Sequence, residues 1–191
     1  MIIEFAEIDN EFFSVEHIFD STENENLISG FKALNGAQGL EDYLKYQAAK
    51  DERAVSARTY LVKDKFTGEL AGYFSLRSGL ITIQSYQESF DTIPAIELSN
   101  LAINGEYREK HKDKKRLSFV FLRTFIIPIC QAMSKYIGLA SLYIYALPDE
   151  KLIEHYTKLG FTRLPKKQEK FVQNHIKPKY DEGCVFMFQN L

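Results

Sequence analysis

The arrangement of residues 95–146 constrains the fold of this chain most strongly. Residues 95–103 and 140–146 are two short, largely apolar tracts, and a helical pattern separates them. Two strands joined through a helix normally lie parallel in one sheet, with the helix packed against one face. A largely apolar strand is typical of a position that is buried on both faces. The sequence therefore predicts a βαβ unit within a mixed sheet.

Segments on either side of this unit extend the sheet. Residues 58–63 and 69–76 are rich in β-branched and aromatic side chains and flank a turn at 64–68, which predicts an antiparallel hairpin. Residues 81–83 would extend or bulge its second strand, and 184–188 predict a closing C-terminal strand. The fold class is therefore α/β, or α+β, with a mixed sheet flanked by helices.

Three segments predict helices. Residues 40–49 carry apolar side chains at helical spacing. Ser118 is expected to cap a second helix, which Pro128 should kink or break because proline has no amide hydrogen. Asp149 is expected to cap a third helix, which Gly160 ends.

The net charge of −2 hides an asymmetry along the chain. Residues 1–56 hold 12 acidic and four basic side chains, whereas residues 57–191 hold 20 basic and 14 acidic ones. The excess of positive charge in residues 57–191 would suit an anionic ligand, such as a phosphorylated cofactor or a nucleic acid, or would simply form a solvated surface.

Composition argues against several other classes of protein. The most apolar stretch, 119–130, contains Arg123 and Pro128 and is shorter than the ~20 residues of a membrane span. The N-terminus lacks the basic region of a signal peptide. Two cysteines form no disulfide framework, so buried free thiols and a cytoplasmic location are expected. The four histidines have no metal-ligand spacing, and no metal site is predicted.

One motif points to a family. Residues 101–104, a polar loop, a long helix and the strand at 140–146 precede Tyr156-x-x-x-Gly160-Phe161. This succession resembles the GNAT N-acetyltransferases over residues 35–165. It implies a single acetyltransferase-like domain over 1–191 with the GNAT-like acyl-CoA N-acyltransferase fold. Residues 1–34 form an acidic N-terminal element outside the resemblance.

Residues 40–44, 58–62 and 71–76 resemble the branch of that family that contains toxins acetylating aminoacyl-tRNA. The sequence departs from the family at the phosphate-binding turn, whose counterpart is residues 113–118. Arg116 and Ser118 stand where the family has small residues, the first a glycine. Without glycine, backbone amides approach a pyrophosphate less closely. Two alternatives follow: lysine and arginine side chains replace part of the cradle, or cofactor binding is lost.

The resemblance assigns residues to the binding of acetyl-CoA as co-substrate. The strand would pair with the pantetheine arm and donate to the thioester carbonyl, and the turn would hold the phosphates. Asp149 occupies a position near the pantetheine, although a plain helix cap explains it as well. The cofactor-binding set is Leu101, Ala102, Ile103, Lys115, Arg116, Leu117, Ser118 and Asp149.

Two residues are candidates for catalysis. By the resemblance, Tyr156 is the general acid that protonates the departing thiolate, although it could merely pack on its helix. Glu97 is the candidate general base, because an acid is costly to bury in an apolar strand without a role. The alternatives are a salt bridge from Glu97, for example to Arg77, and deprotonation of the amine through water.

The predicted function is acetyl transfer from acetyl-CoA to a primary amine of a small or macromolecular acceptor. The alternatives are a non-catalytic binding module on a degenerate acetyltransferase fold and a toxin that acetylates aminoacyl-tRNA. The basic tract 163–179 could hold a phosphate-rich acceptor such as tRNA, or be a solvated connection. A homodimer is one expected assembly, and no membrane partner is expected.

Overall fold

The computed structural model describes residues 10–85, 89–175 and 183–191. Within these ranges, seven strands form one mixed sheet in the order β1-β2-β3-β4-β5-β7-β6. The pairs β1–β2, β2–β3, β5–β7 and β6–β7 are antiparallel, whereas β4 and β5 are parallel. The strands are β1 Phe13–His17, β2 Arg58–Asp64, β3 Leu70–Gln84, β4 Phe90–Ile103, β5 Ser141–Ala146, β6 Thr162–Arg163 and β7 Val185–Asn190.

Eight α-helical segments accompany the described strands, and π-helical turns at Tyr43–Gln47 and Leu122–Ile126 join two pairs of them. A short 3-10 turn lies at Leu34–Gly36. The helices are α1 Asn24–Ser29, α2 Gln38–Asp42, α3 Ala48–Arg53, α4 Gly105–Lys110, α5 Leu117–Phe121, α6 Ile127–Ser134, α7 Glu150–Lys158 and α8 Lys166–His175.

The described chain divides into two compact units. The first holds the described residues up to Arg77 together with Ser99–Ile129, and the second holds Ser78–Leu98 and the described residues from Cys130 onward. Each unit has its own apolar core. The first is built around Phe31, Leu44, Leu61, Tyr73 and Ala102. The second is built around Ile81, Ala95, Tyr143, Val172 and Phe186.

The predicted hairpin, the βαβ unit and the closing strand are all confirmed. The parallel register aligns Ala95, Ile96 and Glu97 of β4 with Ser141, Leu142 and Tyr143 of β5. The last strand, β7, pairs antiparallel with β5 along its whole length. Apolar patterning located these strands because each one packs against other strands or helices.

Of the kink or break predicted at Pro128, the break does not occur. The helix runs continuously from Leu117 to Ser134, and the π-helical turn Leu122–Ile126 ends two residues before the proline. A π turn carries one extra residue, so carbonyl groups near it are shifted from their α-helical positions. The helix therefore accommodates a residue that has no amide hydrogen to donate.

The predicted cap at Ser118 is also displaced. The N-cap is Arg116, and Leu117 is the first helical residue. By length and composition alone this helix could cross a membrane, a criterion that core helices of globular proteins also meet. Phe121, Leu122 and Phe125 are fully buried within the first unit, as in a core helix.

A close approach of backbone at Gly72 allows β3 to lie against the end of β4. A Cβ atom at this position would collide with the carbonyl oxygen of Ala102 and would lie 2.7 Å from the Phe121 ring. Gly39, in contrast, has no neighbouring atom within 4 Å of its Cβ position.

We expect Gly72→Ala to lower the free energy of unfolding by about 1–3 kcal/mol, because an overpacked core must shift backbone. The matched change Gly39→Ala lies in helix α2 and should raise it by up to about 1 kcal/mol through helix propensity. Urea denaturation of both variants measures the difference. Equal effects in the two variants would contradict the close approach at Gly72.

Candidate active site

The loop between β4 and α5 contains a short helix that the sequence did not reveal. Asn104 caps α4 by accepting from the amide of Glu106 at 3.1 Å, and its own amide group donates to the Leu70 carbonyl at 2.8 Å. The backbone amide of Asn104 also donates to the Ala71 carbonyl at 2.9 Å. The loop therefore starts from a point that is fixed to β3.

The three strand residues assigned to the cofactor lie at the end of β4. Ala102 is buried, and Leu101 and Ile103 are half-buried. Leu117 and Ser118 open α5, the former buried and the latter half-buried. The first unit thus contains Leu101, Ala102, Ile103, Lys115, Arg116, Leu117 and Ser118 of the predicted set.

Arg116 has a left-handed backbone, with φ 56° and ψ 38°. Only glycine adopts this conformation without a steric cost, and other residues pay about 1 kcal/mol or more. The carbonyl of Arg116 accepts the first helical bond, from the amide of Val120 at 3.0 Å. Arg116 therefore adopts a glycine-like backbone at the position where the resemblance expected glycine.

The cations of this loop fall into two groups. Lys110 lies 2.7 Å from Glu69, and Lys114 lies 4.0 Å from buried Asp64 and 4.4 Å from the centre of the Phe12 ring. The second group consists of exposed side chains that form no ion pair with a described residue: Lys112, Lys115 and Arg116. Three positive charges thus remain available next to the left-handed turn.

Tyr156 lies on α7, in the second unit. Its half-buried ring packs edge to face against Phe161, with centroids 5.7 Å apart. Burial raises the pKa of the Tyr156 hydroxyl to about 12. The phenol is therefore fully protonated at neutral pH and retains a proton to donate.

The two ends of α7 follow the predicted pattern. Asp149 accepts from the amide of Leu152 at 2.9 Å, so its side chain acts as the N-cap. Gly160, with φ 98°, follows the helix in a conformation suited to glycine. The capping bond explains Asp149, and its assignment to the cofactor stays a prediction.

Glu97 is a buried carboxylate that faces a tyrosine on the neighbouring strand. It is 6% exposed, and the Tyr143 hydroxyl donates to its Oε2 atom at 3.3 Å. Burial and the negative charge of Glu97 together raise the pKa of Tyr145. The guanidinium of Arg77 lies 2.8 Å from Asp51, and a salt bridge from Arg77 to Glu97 stays a prediction.

The thiols and histidines contribute no reactive cluster in the described part of the chain. Cys130 and Cys184 are free and buried, as predicted. Burial raises the pKa of the Cys130 thiol to about 12, so its reactive thiolate form is absent at neutral pH. Among described residues, no group of three or more histidine, cysteine or acidic side chains could hold a metal ion.

Helix α8 covers residues 166–175 of the basic tract 163–179, for which the sequence predicts no helix. Residues 176–179 of this tract lie outside the described residues. Val172 is buried, and Gln168 bonds both the amide and the carbonyl of Gln84 at 2.8 Å. The side chain of Gln173 donates to the Cys184 carbonyl at 2.7 Å. The exposed lysines of the helix are Lys166, Lys167 and Lys170. The sequence signal was the spacing of Gln168, Val172 and the lysines, which fits one amphipathic helix.

We expect Arg116→Gly to be about 1 kcal/mol more stable than Arg116→Ala, because alanine keeps the strain of the left-handed backbone. At Ser118, inside the helix, the glycine variant should instead be less stable than the alanine variant, since glycine is the poorer helix former. Thermal unfolding of the four variants tests this. An Arg116→Ala variant as stable as Arg116→Gly would argue against the left-handed turn.

No protein-family model matches the sequence. Solved structures do match it closely in fold. The structure of AtaTR bound with AcCoA superimposes with a TM-score of 0.66 at 18% identity, covering 95% of each chain. A tyrosine-to-phenylalanine mutant of KacT gives 0.63 at 21% identity, covering 94% of this chain and 95% of that one.

AtaT complexed with acetyl-methionyl-tRNAfMet gives a TM-score of 0.62 at 19% identity, covering 91% of this chain and 93% of that one. Likeness at this level of identity establishes the fold. The chain therefore has the GNAT-like fold of these toxin structures, a mixed seven-stranded sheet flanked by helices.

Proposed function

We propose that this protein is an acetyl-CoA-dependent N-acetyltransferase. The observation that carries the proposal is the left-handed Arg116, which adopts a glycine-like backbone at the start of a long helix. Two further exposed cations that form no ion pair with a described residue, Lys112 and Lys115, accompany it in the loop. The similarity in fold to a structure containing AcCoA supports the same cofactor.

The residues present fit a ligand that carries phosphate groups. Lys112, Lys115 and Arg116 would hold the phosphates through charged side chains, which bind phosphate more strongly than neutral donors do. Leu117 and Ser118 would present backbone at the positive end of the helix dipole. Leu101, Ala102 and Ile103 would align the pantetheine arm along β4, with Asp149 near it.

When bound, acetyl-CoA supplies an acetyl group that is activated as a thioester. Tyr156 would hold a proton at its hydroxyl oxygen and donate it to the leaving sulfur, a role that its raised pKa permits at neutral pH. Glu97 would accept the proton of the amine, directly or through water. The carboxylate is already oriented by the Tyr143 hydroxyl at 3.3 Å.

We further infer that the acceptor is polyanionic and that aminoacyl-tRNA is the best candidate. The exposed lysines of α8 provide a cationic helix face, and glutamines of the same helix bond Gln84 of β3 and Cys184, the residue before β7. An α-amino group has a pKa near 8, more than two units below that of a lysine amine, so a larger fraction of it is neutral at physiological pH. The cytoplasm, which holds both acetyl-CoA and charged tRNA, would be the site of action.

We expect Tyr156→Phe to lower the turnover number by about 10²–10⁴-fold, the usual loss when a general acid is removed. Its affinity for CoA, measured by calorimetry, should stay near that of the wild type. Tyr136→Phe is the control, because Tyr136 is an exposed tyrosine on the segment after α6. Equal losses of turnover and affinity would contradict the acid role, and absence of CoA binding at millimolar concentration would overturn the proposed function.

We expect the triple change of Lys166, Lys167 and Lys170 to Gln to weaken tRNA binding and to reduce its salt dependence. Each lost phosphate contact lowers the slope of log affinity against log salt by about 0.7–0.9. A control of equal charge replaces three exposed lysines elsewhere, Lys32, Lys50 and Lys135, with Gln. An equal change of slope in both triple variants would show that α8 is not the tRNA face.

A further inference from the structure

A buried carboxylate joins the β2–β3 turn to the cationic loop. Asp64 is 2% exposed and accepts from the backbone amides of Phe66 at 2.9 Å and Thr67 at 3.2 Å. The same carboxylate accepts from the hydroxyl of Tyr107 at 2.6 Å. Burial alone would raise the pKa of Asp64, but these hydrogen bonds outweigh burial and hold the pKa below its usual value.

Tyr107 is the counterpart of this carboxylate on α4. It is 2% exposed, and its ring stacks on His111 with centroids 4.3 Å apart. The ring also packs edge to face with Phe13, with centroids 6.3 Å apart. The side chain therefore ties the helix and the first residue after it to the end of the hairpin.

Glu69 forms a second set of contacts with the same segment. Its two carboxylate oxygens lie 2.7 Å from the Lys110 ammonium group and 2.7 Å from the Nε2 atom of His111. Arg108 adds a bond to the His111 carbonyl at 3.2 Å. The segment that leads into residues 112–116 is thus held at several points by residues of the first unit.

We propose that Asp64 and Tyr107 are a positioning pair for phosphate recognition, and that the loop cations have two separate roles. Lys110 and Lys114 fasten the loop to Glu69 and Asp64, whereas Lys112, Lys115 and Arg116 are the phosphate ligands. This inference rests on the proposed function, because the phosphates are those of acetyl-CoA.

The physical reason is the cost of ordering a loop around an anion. A loop without glycine must bind phosphate through long side chains, and each one loses rotamer freedom when it is immobilised. If the loop backbone is already ordered before the ligand arrives, the entropy lost in ordering that backbone belongs to folding and does not weaken binding. Asp64 also pairs with Lys114, which leaves the charge of that lysine largely neutralised.

The test is Tyr107→Phe, which removes one hydroxyl and keeps the packing of the ring. The matched control is Tyr43→Phe, because the Tyr43 hydroxyl likewise donates to a buried carboxylate, Asp51, at 3.2 Å. Calorimetry with CoA measures affinity at a temperature where both variants are folded. Hydrogen exchange of the Lys114 amide, which bonds the His111 carbonyl at 3.1 Å, measures loop order without ligand.

We expect Tyr107→Phe to weaken CoA binding by about three- to tenfold, as for loss of part of a charge-assisted hydrogen bond, and to speed exchange at Lys114. Lys115→Gln should weaken binding less in the Tyr107→Phe background than in the wild type, because a mobile loop uses its cations less effectively. Tyr43→Phe should change neither measurement.

Three results would overturn the inference in distinguishable ways. Normal CoA binding by the wild type, with unchanged affinity and exchange in Tyr107→Phe, would reject the positioning role alone. A wild-type protein that binds no CoA would reject the proposed function and, with it, any role of the loop toward that cofactor. Equal loss of affinity in Tyr107→Phe and Tyr43→Phe would show that Tyr107 affects CoA binding only through the stability of the protein.

Discussion

The buried negative charge of Asp64 connects two distant segments of the first unit. A carboxylate that is nearly excluded from water is tolerated only if donors surround it, and here two backbone amides and a tyrosine hydroxyl do so. The amides define the turn between β2 and β3, and the hydroxyl belongs to α4, over 40 residues later in the chain. A single desolvated group therefore fixes the hairpin and the start of the cationic loop together, and neither can move without leaving that group unpaired.

Local signals in the sequence were sufficient for much of the fold. Apolar runs located β4 and β5, and Asp149 with Gly160 marked the ends of α7, since each of these features depends on a few neighbouring residues. The effect of Pro128 was not predictable in this way, because a π turn two to six residues earlier changes which carbonyls need a donor. Strand β1 and helix α8 were missed because their half-buried, charged residues hide the apolar side chains that anchor them, such as Phe13 and Val172.

In the candidate site, too, features set by neighbouring residues were predictable from the sequence, whereas features set by the folded structure were not. The sequence identified Arg116 and Ser118 as departures from a glycine-rich turn, but the left-handed backbone at Arg116 is a property of the folded loop. The sequence also does not tell which loop lysines form ion pairs, because the acids that pair with Lys110 and Lys114 come from β2 and the turn before β3. Glu97 was singled out correctly as a buried acid, yet its partner Tyr143 lies on a strand that only the parallel register brings alongside.

The replacement of glycine by cations has a physical consequence for specificity. A glycine-rich turn binds phosphate through backbone amides, which carry partial charges and are shielded little by salt once they are covered by the ligand. Exposed lysine and arginine side chains carry full charges in water, so their attraction to phosphate weakens as ionic strength rises. In this protein the backbone at Arg116 keeps the shape of a glycine turn while its side chain and those of Lys112 and Lys115 add charge. If this loop holds the phosphates as proposed, it should discriminate more by the number of phosphates on the ligand than by the fit of one pyrophosphate, because each added phosphate would contact a further exposed cation.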